Sequence, residues 1–467
     1  MKNNLIKAIN WSIFESFGLI VTQIFFNVAF TRLVPPSQFG LYALTSSILI
    51  IFKAIVDSGT YQAIIQTNEI DNRYIWTSVW ANLFFGLLLF ALLNLNSRLI
   101  AGYYNQPDLK IIIKALSWTI LFECSTVTAR ALLIRSLNFK AFAKISMISR
   151  IFSGLVGVIL VSFNAGYWGL IIKDLLLSIA LTLGVLYYSY KLLGPCSLPS
   201  FNKLKKILNF GTPIFLADQV TIFIDNFLEL FIGKKIGLYN FSQYERSNSF
   251  ATYAYQSPVV AINKVIFPAL SRVESCSFES SYFKVLSFIY LLVLPIIVLG
   301  LTIGQNILLL ILGNDWAIAA KLFPYFCVLG IFYPLLVINL NALKVLGFSS
   351  KYFKFSLLGK VFSIILFLFV DFRLFESIVI AIILSKIIYM IIVSYTAGKS
   401  INLNILKQFY ELRGLFASAL ILCVVNVCLK FVFSSTLVVL MLIVLLNGLF
   451  WTYFFIKTKP KLHLEGL

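Results

Sequence analysis

Apolar runs of about twenty residues, each closed by a short polar break, follow one another along almost the whole chain. At 1.5 Å per residue, about twenty such residues cross the hydrocarbon core of a bilayer. The alternating apolar and polar positions of a membrane barrel strand do not appear. The breaks predict spans over 11–31, 41–66, 74–95, 109–134, 145–163 and 168–190, then over 207–232, 239–270, 282–303, 317–340, 352–370, 376–396, 412–433 and 437–456. This is the pattern of an all-α polytopic membrane protein with about 14 transmembrane helices. Arg98 to Pro107 and Gln305 to Trp316 read as short interfacial elements. The first run carries Glu15 and no small-residue cleavage site follows it, so a retained helix is expected.

An internal repeat organises these helices. Lys144 to Ser153 (KISMISRIFS) and Lys354 to Ser363 (KFSLLGKVFS) share Lys, Ser, a basic residue, Phe and Ser at the same spacings. Arg135 with Phe139 precedes the first copy as Lys344 with Phe348 precedes the second, and Gly40-Leu41-Tyr42 recurs as Gly237-Leu238-Tyr239. A unit with an even number of helices duplicates in one orientation, as a parallel pseudo-twofold repeat about the membrane normal. The expected organisation is an N-terminal six-helix lobe over 1–190, a cytoplasmic linker over 191–206, a second six-helix lobe over 207–398, and two C-terminal helices with a basic tail over 399–467.

Composition strengthens the membrane reading: 60% of residues are hydrophobic, 12% are charged and the mean hydropathy is +0.93, against about 25% charged in soluble domains. The net charge of +20 comes mostly from loops. With both termini cytoplasmic, the inner loops hold the larger share of lysine and arginine, which is the positive-inside bias. Nothing in this distribution calls for nucleic acid. Six cysteines show no CxxC spacing and His463 is the only histidine. There is no P-loop, GxSxG, HExxH or nucleotide fingerprint. No catalytic residue, metal ligand or bound cofactor is therefore assigned, and a proton or sodium gradient is the expected energy source.

Candidate chemistry lies in the charges inside apolar runs, where each costs roughly 2.5–3.5 kcal/mol on insertion scales. Lys53, Arg130, Arg150 and Lys264 are candidates to line a cavity and hold a pyrophosphate, the forked arginine donors matching phosphate oxygens. Asp57, Asp225, Glu229 and Glu15 are candidates to couple an ion. Bland alternatives stand beside them. Lys53 and Asp57, four apart, can pair on one helical face; Lys173 and Asp174 read as a neutralised pair; Arg130 and the repeat equivalents Arg150 and Lys360 can snorkel to the cytoplasmic side. Glu123 lies two turns from Arg130 on the same face, and Glu245 with Arg246 reads as interfacial.

The blocks RLVPPSQFGLYAL (32–44), AIIQTNEID (63–71), RSLNFKAFAKIS (135–146), IDNFLELFIGKKIGLYNFS (224–242), NKVIFPALSRV (263–273) and ILGNDW (311–316) together resemble the polysaccharide transporter branch of the multidrug, oligosaccharidyl-lipid and polysaccharide flippase superfamily. The resemblance covers roughly Leu5 to Thr396. It implies a flippase, not an enzyme, that moves undecaprenyl-pyrophosphate-linked oligosaccharide to the outer leaflet of a bacterial inner membrane by ion-coupled alternating access. It also implies a lipid-linked oligosaccharide as ligand, membrane lipids around a monomer, and a polysaccharide polymerase and chain-length regulator as partners. Two other readings stay open on the residues alone: a cation-coupled exporter of small molecules, and a membrane-embedded polysaccharide polymerase or ligase.

Overall fold

The computed structural model describes the backbone of residues 2–56, 60–67, 70–136, 138–270, 278–346, 348–367, 375–432 and 437–458. Side chains within these stretches are described from Gly18 onward, except at 66, 139, 208–218, 220–221, 261, 263–270, 349–350, 353, 363, 366–367, 432, 437 and 455–458. Helix dominates and no strand occurs among the described residues. Eight helices there are long and apolar enough to cross a membrane, and a ninth if the bent pair Asn314–Cys327 and Leu329–Val345 is one broken span. A helix makes its backbone hydrogen bonds internally, so such an architecture meets the one demand a hydrocarbon solvent imposes. The protein is a multi-pass membrane protein.

Two compact units divide the chain, Met1–Ser242 and Gln243–Leu467. The first holds α1 (Lys2–Leu33), α2 (Pro36–Val56), α3 (Thr60–Gln66), α4 (Asn72–Tyr104), α5 (Asp108–Arg135), α6 (Phe139–Ser162), α7 (Tyr167–Leu193) and the first part of α8 (Phe201–Leu270). Here α5 is central, packing on α2, α3, α4 and α7, while α6 packs on α1 and α7. The second unit holds the rest of α8 with α9 (Phe278–Thr302), α10 (Gly304–Leu312), α11 (Ala317–Cys327), α12 (Leu329–Val345), α13 (Ser349–Phe367), α14 (Phe375–Ser400), α15 (Ile405–Glu411), α16 (Arg413–Val432) and α17 (Leu437–Thr458). In it α9 carries α11, α12, α16 and α17, and α14 carries α12 and α13. A buried polar knot of Tyr282, Asn339 and Gln408 ties α9, α12 and α15 together.

Three elements depart from the boundaries the hydropathy pattern predicts. Arg98 to Tyr104 continues α4 and forms no separate interfacial element; the helix stops only at Asn105, whose left-handed backbone (φ 55°) lets its N–H reach back to Ala101 and Gly102. The run 317–340 is broken at Val328, where α11 and α12 meet at 47° between Pro324 and Pro334, each lacking a helical donor. The third is α8, continuous except at Gly237, where φ 76° and ψ 164° lie outside helical space. Glycine alone enters that region freely. The break brings the two Gly-Leu-Tyr copies into contact, because a methyl group on Gly40 would overlap the Leu238 carbonyl.

Residues 194–200 are fastened to α4. Asn72 Nδ2 donates to the Pro195 carbonyl (2.5 Å), Trp76 Nε1 to that of Leu193 (3.1 Å) and Trp80 Nε1 to that of Ser197 (3.2 Å), while the Ser200 N–H donates to Thr77 Oγ1 (3.1 Å). Asp71, the N-cap of α4, closes the strap with an ion pair to Lys203. Its carboxyl is held below the usual carboxylate range by the Lys203 hydrogen bond, assisted by the Tyr74 N–H. A carboxylate whose folded pKa is depressed stabilises above its unfolded pKa and ceases to do so as pH falls through the folded value. Amide exchange over 195–203, corrected for its intrinsic pH dependence, is therefore expected to rise on acidification below about pH 4, and Asp71→Asn to show the raised rate at neutral pH. Protection independent of pH in the unaltered protein would count against the strap.

Candidate functional site

The first unit carries a strip of charge between α5 and the α2–α3 track. Lys53 lies in the last turn of α2, within the apolar run Pro36–Ile65 that is long enough to cross a membrane, and Glu123 lies near the middle of α5. Lys53 Nζ meets Glu123 Oε1 at 2.5 Å, and the two side chains are 31% and 40% exposed. A lone charge at that depth is costly, and pairing offsets the cost without removing either group from access. Roughly 10 Å further along α5, two turns on and therefore on the same face, the Arg130 guanidinium lies over the Tyr61 ring of α3 at 5.1 Å.

Packing behind the strip fixes it. Thr60 Oγ1 donates to Asn82 Oδ1 (2.9 Å), Asn82 Nδ2 donates to Thr128 Oγ1 (3.1 Å), and Thr128 also bonds Ser78 (2.9 Å), all four residues being buried. This satisfied network locks α3, α4 and α5 in register. Arg135, which precedes the first repeat copy, donates to the Ile64 carbonyl (2.7 Å) and the Thr67 carbonyl (2.5 Å). It thereby caps the C-terminal end of α3, where a cation also suits the helix dipole.

A second charged cluster joins α7 to α2 and α1. Tyr42 donates to Asp174 Oδ2 (2.7 Å), Lys173 Nζ lies 3.0 Å from Asp174 Oδ1 and donates to Tyr42 (3.3 Å), and the same ammonium sits over the Phe30 and Tyr42 rings at 5.4 Å each. Close approach of α6 makes this possible: Gly157 packs against the Lys173 Cβ, and a methyl there would come within 2.8 Å of it. In the second unit Arg246 is buried and paired with Glu245 (2.5 Å). Lys360 is likewise buried, its ammonium over the Tyr389 ring at 4.5 Å.

The eight candidates from the sequence are distributed as follows. Lys53 and Arg130 share the strip. Arg150 lies half-buried on α6, and Asp225 and Glu229 lie exposed and half-buried on the first part of α8. Asp57 lies outside the described residues, and the side chains of Glu15 and Lys264 lie outside the described side chains. Glu123 is the partner that helical spacing does not give to Lys53, being 70 positions away. Nothing in the sequence pattern marks Tyr61 or Tyr42 as the partner of a charge. Among the described residues no group of three His, Cys, Asp or Glu side chains is placed to hold a metal ion.

A family profile described as polysaccharide biosynthesis protein matches residues 29–321. The lipopolysaccharide biosynthesis protein WzxC of Escherichia coli (strain K12) is 24% identical over 340 residues, 71% of this chain and 68% of that protein. The succinoglycan biosynthesis transport protein ExoT of Rhizobium meliloti (strain 1021) is 22% identical over 315 residues, 67% of this chain and 63% of that protein. Among solved structures, the lipid II flippase MurJ in an inward closed conformation superposes with a TM-score of 0.74 at 14% identity, covering 99% of each chain. An inward-facing multidrug resistance transporter of the MATE family, in the MOP superfamily, superposes with a TM-score of 0.62 at 14% identity, covering 81% of this chain and 94% of that one. At these identities the structural likeness concerns the fold.

Proposed function

The chain belongs to the polysaccharide biosynthesis protein family, and we propose that it is the flippase that carries lipid-linked oligosaccharide, joined through undecaprenyl pyrophosphate, from the inner to the outer leaflet of a bacterial cytoplasmic membrane. The observation that carries the reading is the half-exposed Lys53–Glu123 pair inside the spans, with Arg130 two turns along the same face. A bundle with only a structural task has no use for an accessible charge at that depth. A transporter of a phosphate-bearing lipid needs a cation there to replace the water that the phosphate leaves behind.

The internal repeat supports the architecture of the cycle. About 14 spans arranged as two six-helix lobes, over 1–190 and 207–398, joined through 191–206 and followed by two further helices over 399–467, would alternate access by rocking. Both termini would lie in the cytoplasm, and a proton or sodium gradient would drive the cycle through carboxylates such as Asp57, Asp225, Glu229 or Glu15. The protein would act as a monomer, as a transporter and not an enzyme, and hand its cargo to a polymerase working with a chain-length regulator. Names of relatives support this assignment, ExoT being a transport protein and MurJ a flippase.

Deleting the protein is expected to strand lipid-linked repeat units on the cytoplasmic face, read by leaflet-specific enzymatic labelling of the sugar. Finding the units exposed on the outer leaflet at the normal level would overturn the flippase reading. Chain growth on incubating the purified protein with lipid-linked repeats would replace it with a polymerase.

A further inference from the structure

Each accessible cation inside a membrane span is usually taken as waiting for its ligand, but Lys53 is already occupied. Its ammonium sits 2.5 Å from Glu123 Oε1, and the carboxylate is the more exposed of the two, at 40% against 31%. We infer that Glu123 is a resident stand-in for the substrate's anion: it neutralises Lys53 while the carrier is empty, and a phosphate or diphosphate of the lipid-linked cargo displaces it on loading. This rests on the flippase reading and assigns to that reading a residue whose task is to be displaced.

The physical need is symmetric. An empty carrier that returned with a bare Lys53 would move one uncompensated charge through the low-dielectric interior. Holding Glu123 against Lys53 makes the returning pair neutral. On loading, the anion takes the ammonium and Glu123, the more exposed member of the pair, turns away from it. The pair suits this exchange because it is one contact between two flexible side chains from different helices, α2 and α5. Half-exposed pairs of this kind are weak enough to open, their strength lying within roughly a fivefold factor in equilibrium. The Lys173–Asp174 pair differs: it is more buried, shares Tyr42 as a third member, and sits under two aromatic rings. Such a closed cluster has no exchangeable partner.

The test compares the purified full-length protein with Glu123→Gln, using farnesyl diphosphate as the probe in a calorimetric titration, alongside export of repeat units in cells. The stand-in role predicts that Glu123→Gln binds the probe roughly two- to fivefold more tightly, the cost of displacement being gone. It also predicts a lower maximal export rate, since the empty site now returns charged. A merely structural pair would move neither quantity in that opposed way. Should Glu123→Gln fail to fold, Glu123→Asp keeps the anion on a shorter stem and is expected to shift both quantities in the same directions by less. Equal or weaker binding by a folded variant, with the unaltered protein binding the probe, overturns the stand-in role and leaves the flippase reading intact. Absence of binding by both proteins overturns it too, and the deletion strain then decides whether the flippase reading falls with it.

Discussion

Lys53→Gln is expected to cut export of lipid-linked repeat units tenfold to more than a hundredfold while the protein stays folded at normal abundance. A hydrogen bond to a charged group contributes about 1.5–3 kcal/mol, and each 1.4 kcal/mol is about a factor of ten. Lys53 is the cation of the accessible pair, so glutamine keeps a donor and removes the charge. Glu123 is left without its ammonium, yet at 40% exposure it is not enclosed by packing, which is why folding should survive. The double variant Lys53→Gln with Glu123→Gln separates the two uses of the pair. Two neutral amides can still hydrogen-bond between α2 and α5, so a purely structural pair would regain export in the double variant. Export that stays at the level of the single variant places the charge in transport; export restored to normal removes Lys53 from the site.

How much of this could be read from the residues differs between fold and site, and the difference is one of range. Helices over 108–135, 139–162 and 167–193 follow the predicted spans closely because an apolar run and its polar ends are local signals. The break in α8 was also legible, since Gly237 repeats the Gly-Leu-Tyr entry of Gly40 and the structure places a helical interruption there. The bend at Val328 was not, because a proline inside an apolar run predicts a weak point without its angle. Partners of the charges lie beyond local reasoning altogether. Spacing along a helix offers Lys53 only neighbours three or four residues away, whereas Glu123 comes from another helix across the bundle. The strap over 194–200 is a similar case: nothing local in the sequence pairs Trp76 and Trp80 with residues more than a hundred positions on, and only the fold turns their indole N–H groups toward Leu193 and Ser197. Repeat logic also has a limit. It equates Arg150 with Lys360, yet Lys360 is buried under Tyr389 while Arg150 stays half-buried on α6.

Two kinds of charged cluster thus coexist in the first unit, and burial sorts them. Cysteine and glycine contacts bring α4 to α5 and α6 to α7 closely enough to exclude lipid: a methyl on Gly86 would come within 2.7 Å of Cys124, and one on Gly157 within 2.8 Å of Lys173. Small residues at such contacts are the usual means of packing helices without a hydrophobic driving force. Where packing is that close, a charge pair is the less exposed, 19% at Lys173 and 25% at Asp174. Where α2 meets α5 at Lys53, it stays accessible.

Asp174→Ala is accordingly expected to act on stability first, lowering it by about 3 kcal/mol. Removing one member of a buried ion pair costs about 3–5 kcal/mol, and side-chain exposures of 19% for Lys173 and 25% for Asp174 put this case at the low end. Without Asp174 the Lys173 ammonium keeps one hydroxyl, that of Tyr42 at 3.3 Å, and two ring faces at 5.4 Å, which together do not replace a carboxylate. Tyr42→Phe removes the shared hydroxyl alone and should cost about 1–2 kcal/mol. The informative variant replaces both charges, Lys173→Met with Asp174→Leu. Apolar residues of similar volume at a sealed pair are often neutral or stabilising, so thermal unfolding in detergent and export in cells should both return close to normal. Normal unfolding with export still lost would move the Tyr42 cluster out of the scaffold and into the transport cycle. Sealed burial would then no longer separate structural charges from working ones in this protein.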